Sequence, residues 1–296
     1  MINLIKMDLY RLFKTKSYYV MIVVTALLAI FAIFMLNEDI LFQQSMQEKG
    51  NDNSKYEQEM LEKDNVTEVS GEGFTFGIYV ETKEEWIYNK IDFADYLNVN
   101  FASNLVMILC VFVSIYVNGE QKNGYIKNIA GQLEKRSMLV LSKLVAVSVE
   151  VFSMLLVFVL VSAISGKIAF GDKLICSSVI SLLKLLGIEY VLHLATSSTV
   201  MAITLIFRSS GVGITYGLLD SMGLVTSVLG IINVFANKIF KFKDFDVLEY
   251  TVRGCITKLS VTFTTETIIK SLIISIAFIS ISTILAMISM QKRDVK

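Results

Sequence analysis

Six stretches of this chain are apolar and long enough to cross a lipid bilayer, which constrains its fold more than any other feature. A helical span needs about 20 mainly apolar residues. Residues 17–36, 98–117 and 271–290 each provide twenty without a charge. The other three carry ionisable groups. Residues 144–165 include Glu150, whose cost at mid-span is about 3 kcal/mol, but fourteen Leu, Ile, Val and Phe residues each return about 0.3–0.6 kcal/mol. Residues 174–207 hold Lys184, Glu189 and His193 and exceed the length of an upright span, so part of the stretch reads as tilted or interfacial. Residues 211–236 hold Asp220 and are diluted by glycine, yet still read as a span.

The fold class is therefore an all-α integral membrane protein of six transmembrane helices. Of its 296 residues, 54% are hydrophobic and 18% charged, so one membrane domain accounts for most of the chain. The expected order is an interfacial helix (1–16), a first span (17–36), an acidic external loop (37–97), a second span (98–118) and a cytoplasmic loop (119–143). Next come spans at 144–165, 174–207 and 211–236, then an amphipathic external segment (237–268), a last span (269–290) and a short tail (291–296). The first apolar run is too long for a signal-peptide core and no small-x-small cleavage site lies close behind it, so it reads as a retained span.

Net charge is zero, but the charges are sorted by side. With the N-terminus inside, the cytoplasmic segments hold thirteen Lys and Arg residues against four carboxylates. The 37–97 loop holds fifteen carboxylates against five lysines, which suits an external position. Lys238, Lys241 and Lys243 fall outside and run against the rule. This arrangement implies a multi-pass protein of a bacterial cytoplasmic membrane with both termini in the cytoplasm.

Ile2, Ile5, Leu9, Leu12 and Phe13 share one face of a helix ahead of the first span, with Asn3, Lys6, Arg11 and Lys14 on the other. This reads either as a helix lying on the inner membrane surface or as a basic anchor that sets orientation. In the external loop, residues 74–96 carry Phe74, Phe76, Tyr79, Trp86, Tyr88 and Phe93, enough apolar surface to fold onto the outer helix ends, as a solvated cover or a substrate-facing cap. Cys110 lies in the second span, whereas Cys176 and Cys255 would both face outward and could pair. The chain has no proline, so a break in any span must come from glycine or packing.

The segment after the second span is the most distinctive. Glu120 stands at the membrane edge, followed by Lys122, Asn123-Gly124, then Tyr125-Ile126-Lys127-Asn128-Ile129, Lys135-Arg136 and Ser142-Lys143. The pattern resembles the permease subunits of ABC-2 type exporters: an acidic residue, a glycine, a short helix, a basic residue and a Ser-Lys entry into the next span. The surface helix before the first span, the six spans and the Arg-Ser-Ser-Gly turn at 208–211 also fit, so the resemblance covers the whole chain.

The resemblance implies that this short helix couples the membrane domain to a cytoplasmic ATPase. Glu120, Lys122 and Lys127 would make polar contacts, Gly124 would turn the chain, and Tyr125, Ile126 and Ile129 would pack, with Asn128 in the same coupling segment. A plain cytoplasmic hairpin with lysines on the inner side is the simpler alternative. No Gly-x4-Gly-Lys-Ser/Thr phosphate loop occurs, so ATP and Mg²⁺ would bind to a separate ATPase subunit, present in two copies, and this chain would carry no cofactor. The family also implies a permease homodimer with the fifth span at its interface, surrounded by membrane lipids and moving an amphipathic peptide or lipophilic substrate; no nucleic acid is expected as a partner.

Ionisable groups within spans are candidate functional groups. Glu189 and His193 stand four apart and share a helix face, which allows an acid–imidazole pair, and together with Asp220 they are the candidates for a translocation path. Glu150 and Lys184 sit nearer span ends, where a side chain can snorkel. Gly213 and Gly217, continued by Ser221, form a small-x3-small stripe suited to a dimer seam or to internal packing.

Intramembrane hydrolysis fits poorly. A single histidine precludes a two-histidine zinc motif, and no Gly-x-Ser or glycine–aspartate motif frames a nucleophile or acid pair. The expected function is ATP-driven export of an amphipathic substrate, a toxin or antimicrobial peptide. Export of drugs or lipids, or a membrane immunity or sensor role without an ATPase, are the alternatives.

Overall fold

The computed structural model describes residues 1–53, 82–122, 136–240 and 246–292. Within them the chain is an all-α membrane protein. Four helices are long and apolar enough to cross a bilayer, and two bent helix pairs raise the number of spans to six if each pair counts as one.

An N-terminal helix α1 (Ile2–Lys14) ends at Thr15, whose hydroxyl donates back to Arg11 O at 2.7 Å, and the chain turns directly into α2 (Lys16–Asn53). At a rise of about 1.5 Å per residue, α2 is about 57 Å long, nearly twice the hydrocarbon thickness of a bilayer. The expectation that the first span stops at residue 36 and gives way to a loop is thus corrected: the same helix continues past it through a polar segment. A short helix α3 (Glu84–Tyr88) buries Trp86 and Ile87 beside the extension, and Gln44 of α2 donates to Ile87 O. The aromatic part of the segment expected as an external loop therefore folds onto the helix ends within residues 82–97; Phe74, Phe76 and Tyr79 lie outside the described residues.

Two short strands, β1 (Ile91–Asp92) and β2 (Leu174–Ile175), pair in parallel, with Ile91 opposite Leu174 and Asp92 opposite Ile175. Asp92 caps the next helix by accepting from Ala94 N at 2.8 Å and holds the second strand's exit by accepting from Ser177 N at 3.0 Å. Then come α4 (Phe93–Lys122), bent by 56° between residues 100 and 105, α5 (Met138–Phe170) and α6 (Val179–Phe207).

The core forms around α4 and α6. Helix α6 packs on α4, α5 and α10 (Thr265–Gln291), and its most apolar stretch is 61% buried, against 33% for α2 and for α10. Those two helices are apolar on nearly every side yet mostly uncovered. Their exposed Leu27, Phe31, Phe34, Ile273, Ile276 and Ile284 suit a lipid solvent rather than water.

The fifth expected span, 211–236, is not one straight helix. It consists of α7 (Ser210–Ser221) and α8 (Leu224–Phe240), which meet at 67°. Gly223 makes the break at φ +75°, a left-handed conformation that glycine adopts without a Cβ penalty. The external segment expected at 237–268 is likewise more than a surface cover. Its helix α9 (Val252–Val261) buries Val252, Cys255, Ile256 and Leu259 against α4, α6 and α10, a stripe at helical spacing. Asn98 of α4 donates to Leu259 O at 3.0 Å. With Cys255 buried and Cys176 exposed, all three cysteines are free, and the pairing of Cys176 with Cys255 that the sequence leaves open is not formed.

Candidate functional site

Two groups of polar residues stand out in this apolar bundle, one at the end that carries α1 and one midway along the helices. The first group begins at Asp8. Leu4, Asp8 and Leu12 form the buried face of α1, whereas Ile2 and Phe13 of the expected apolar face point outward, free to meet lipid. The helix thus has two faces at work, one against the bundle and one for the membrane.

Asp8 is fully buried, and one carboxylate oxygen accepts from Ser142 Oγ at 2.6 Å. The other lies 4.0 Å from Lys143 Nζ and 3.9 Å from Arg11 Nη1, while Tyr116 Oη donates to the Asp8 carbonyl at 2.9 Å. The cluster is mutual: a charge buried in an apolar setting requires a partner, and Lys143, itself 1% exposed, requires one equally. Asn118, on the same last turns of α4, spans the α6–α7 connection. With its amide turned so that nitrogen and oxygen each face a complementary group, it donates to Arg208 O at 3.3 Å and accepts from Ser210 N at 3.0 Å, beside the left-handed Arg208 that ends α6.

Tyr116 and Asn118 immediately precede the segment 119–137, and Ser142 and Lys143 come just after it. Both ends of that segment are therefore clamped, to α1 and to the α6–α7 turn. Of the expected coupling residues, Glu120 and Lys122 belong to the end of α4, while Gly124, Tyr125, Ile126, Lys127 and Asn128 lie outside the described residues.

The second group is divided. His193 Nδ1 lies 3.3 Å from Glu189 Oε2 and 2.7 Å from Glu189 O, and both side chains are enclosed within the bundle. Neither lines the cavity at the α7–α8 break. Asp220 does: it is 8% exposed and faces a cavity of about 350 Å³ formed where α7 and α8 part. Tyr216, one turn earlier, and Arg253 of α9 share that cavity, and Arg253 donates to Ser221 O at 3.3 Å. Phe278, midway along α10, forms another wall.

Glu150 corrects the expectation that it snorkels from a span end. It is fully buried, and neither carboxylate oxygen has a hydrogen-bond partner among the described residues; Lys184, by contrast, is exposed. Gly213 and Gly217 turn inward as well. A Cβ on Gly217 would overlap Cys110 and one on Gly213 would overlap Thr204 and Ser114, so this stripe is occupied by α4 and α6 of the same chain and is closed to a second copy. Ser221 satisfies its hydroxyl on Leu218 O at 2.9 Å.

Sequence reasoning misses Asp8 and Arg253. The signal for Asp8 is an acid four residues from both Leu4 and Leu12, in a helix whose other charges are basic. The signal for Arg253 is a cation at the start of a helix with a buried stripe. None of the curated proteins matches the sequence. Residues 60–296 match the family described as Protein of unknown function (DUF2705), and the chain belongs to that family.

Proposed function

We propose that this chain is the permease subunit of an ATP-driven exporter of the ABC-2 type. Two copies join two copies of a separate ATPase in a bacterial cytoplasmic membrane, with both termini in the cytoplasm. Its cargo is amphipathic, a toxin or antimicrobial peptide, with drugs or lipids as the neighbouring class.

The observation that carries this reading is the clamp at the inner edge. A membrane domain driven from outside needs a short element rigidly joined to its spans, so that displacement of the element moves helices rather than a slack loop. Residues 116 and 118 on one flank and 142 and 143 on the other supply that rigidity through Asp8, Arg208 and Ser210. The buried Asp8 cluster also makes α1 a strut between the membrane surface and the third span. Force applied at 119–137 would reach α4, α5 and the α6–α7 turn together, and through that turn the broken α7–α8 pair.

The test is co-expression with ABC-type ATPases encoded in the same genome, and purification through a tag on this chain. A stoichiometric complex supports the reading. A correctly inserted, monodisperse protein that retains no ATPase moves the assignment to a sensor or immunity protein.

A further inference from the structure

At the end of the bundle opposite the Asp8 cluster, a second cavity of about 490 Å³ opens between α2, α3 and the end of α5. We propose that it binds the head group of an anionic phospholipid, whose phosphate oxygens meet Lys90 and Lys173 while its acyl chains lie along α2.

Strand register brings the two cations together. Ile91 pairs with Leu174 in the parallel ladder of β1 and β2, so Lys90 and Lys173, each one residue ahead of a paired position, enter the ladder side by side, and both line the cavity. Neither makes a hydrogen bond or an ion pair with the described residues. Like charges that enter a ladder together repel, and one anion between them relieves both. Asp172, the carboxylate in the same wall, is already matched: Lys167 Nζ lies 3.0 Å from its Oδ1. Lys90 and Lys173 are thus the open charges of this cavity, and the complementary ligand group is an oxyanion. Asn37 adds an amide donor that makes no hydrogen bond with the described residues.

The level of the cavity along the helices favours a lipid over a soluble anion. The apolar run of α2 ends at Leu36 and that of α5 at Ser165. Leu41 and Phe170, which both line the cavity, each lie five residues further on, about 7.5 Å along the helix at about 1.5 Å per residue. The polar layer of a bilayer reaches about 5–7 Å beyond its hydrocarbon core. Two helices that end their apolar runs separately therefore agree on head-group level. Trp86, buried in the cavity wall, is a residue type that collects at that level. Leu27, Phe34 and Leu41 recur every seven residues on one face of α2, and each is more than half exposed. That stripe gives acyl chains a path from the cavity into the hydrocarbon. A volume of about 490 Å³ falls within the range of ligand sites, about 300–1,000 Å³, and suits a phosphate and glycerol with the chains outside.

Trp86 is the only tryptophan of the chain, so its fluorescence reads this cavity. The full-length chain is reconstituted without an ATPase in phosphatidylcholine vesicles, and quenching is titrated with phosphatidylglycerol or phosphatidylcholine brominated near the head end of the acyl chains. The expected result is half-maximal quenching by phosphatidylglycerol at a mole fraction at least about tenfold below that of phosphatidylcholine. Lys90→Gln and Lys173→Gln should each raise that mole fraction about fivefold, and together abolish the preference. Lys184→Gln, which removes an exposed lysine near the start of α6 and outside the cavity, should leave it unchanged. Ala169→Phe, at an exposed position of the cavity wall, fills the space and leaves both lysines; it should also abolish the preference, which covers the case in which a lysine variant misfolds. Equal quenching by the two lipids, a preference that survives Ala169→Phe or the double lysine substitution, an equal loss in Lys184→Gln, or displacement of the lipid by millimolar inorganic phosphate overturns the proposal.

Discussion

Ser142 Oγ donates to the Asp8 carboxylate at 2.6 Å, tying the helix that precedes the first span to the entrance of α5 across 134 positions of sequence. The contact is buried, and Lys143 Nζ, 4.0 Å from the same carboxylate, is enclosed with it. A buried pair of this kind adds little over an apolar replacement, but losing one member removes compensation from the charge that stays buried. Asp8→Ala should therefore lower unfolding stability by about 3–5 kcal/mol, and Lys143→Met in the same background should restore most of it. Denaturation in detergent, monitored by far-UV circular dichroism, reads both; a double variant as unstable as the single one counts against the pairing.

Gly217 packs on Cys110, and no Cβ can be placed there without overlap. Gly217→Ala should destabilise by about 1–3 kcal/mol through overpacking. Cys110→Gly removes the obstructing side chain and should recover part of the loss. The control is dimerisation of the detergent-solubilised protein by crosslinking: because the stripe faces α4, Gly217→Ala should change melting without selectively abolishing the dimer.

Glu150 has neither a charge partner nor a hydrogen-bond donor among the described residues. Replacing such a group by an apolar residue of similar size removes a desolvation cost, so Glu150→Met should raise stability by about 1–3 kcal/mol. In the ATPase complex the same variant should slow ATP turnover, since an expensive group in the membrane marks function. An unchanged melting temperature together with unchanged turnover would make Glu150 a silent passenger.

Glu249 sits outside the spans between Lys258 and Lys270, each at 2.5 Å, and Lys270 also lies over the Tyr250 ring at 4.8 Å. Hydrogen bonds from Lys258, then from Lys270, hold its carboxyl well below the ordinary 4.5, at about 2. A depressed carboxyl stabilises fully above its unfolded-state value and loses that contribution as pH falls toward the folded-state one. The melting difference between the native protein and Glu249→Gln should therefore stay constant above about pH 5 and shrink from about pH 4.5 toward about pH 2. Thermal melts across that range measure it. A constant difference over the whole range would mean that the two lysines do not hold this carboxylate.

Much of the membrane architecture is legible in the sequence because apolar length is a strong signal: residues 17–36 and 271–290 fall within α2 and α10, two of the four long apolar helices. The i,i+4 spacing of Glu189 and His193 likewise brings those side chains together. What escapes is long-range. Apolarity locates a span but not its straightness, and the break at Gly223 lies among other glycines with nothing local to distinguish it. Helical periodicity puts Ile2 and Phe13 of α1 on an apolar face, yet which face meets the bundle depends on Ser142 and Lys143. Arg253 reads as part of a surface segment because its relation to Asp220 exists only once α9 packs against α6.

Coupling to an ATPase stands or falls on the ATP hydrolysis rate of the purified complex of this chain with an ABC-type ATPase in lipid nanodiscs, comparing native protein with Glu120→Ala and Gly124→Pro. If the segment 119–137 couples the two subunits, the complex hydrolyses ATP and Gly124→Pro severs the link, reducing turnover or assembly while the permease remains folded and inserted. A folded, inserted permease that forms no complex, or a complex whose turnover is indifferent to both substitutions, would contradict it.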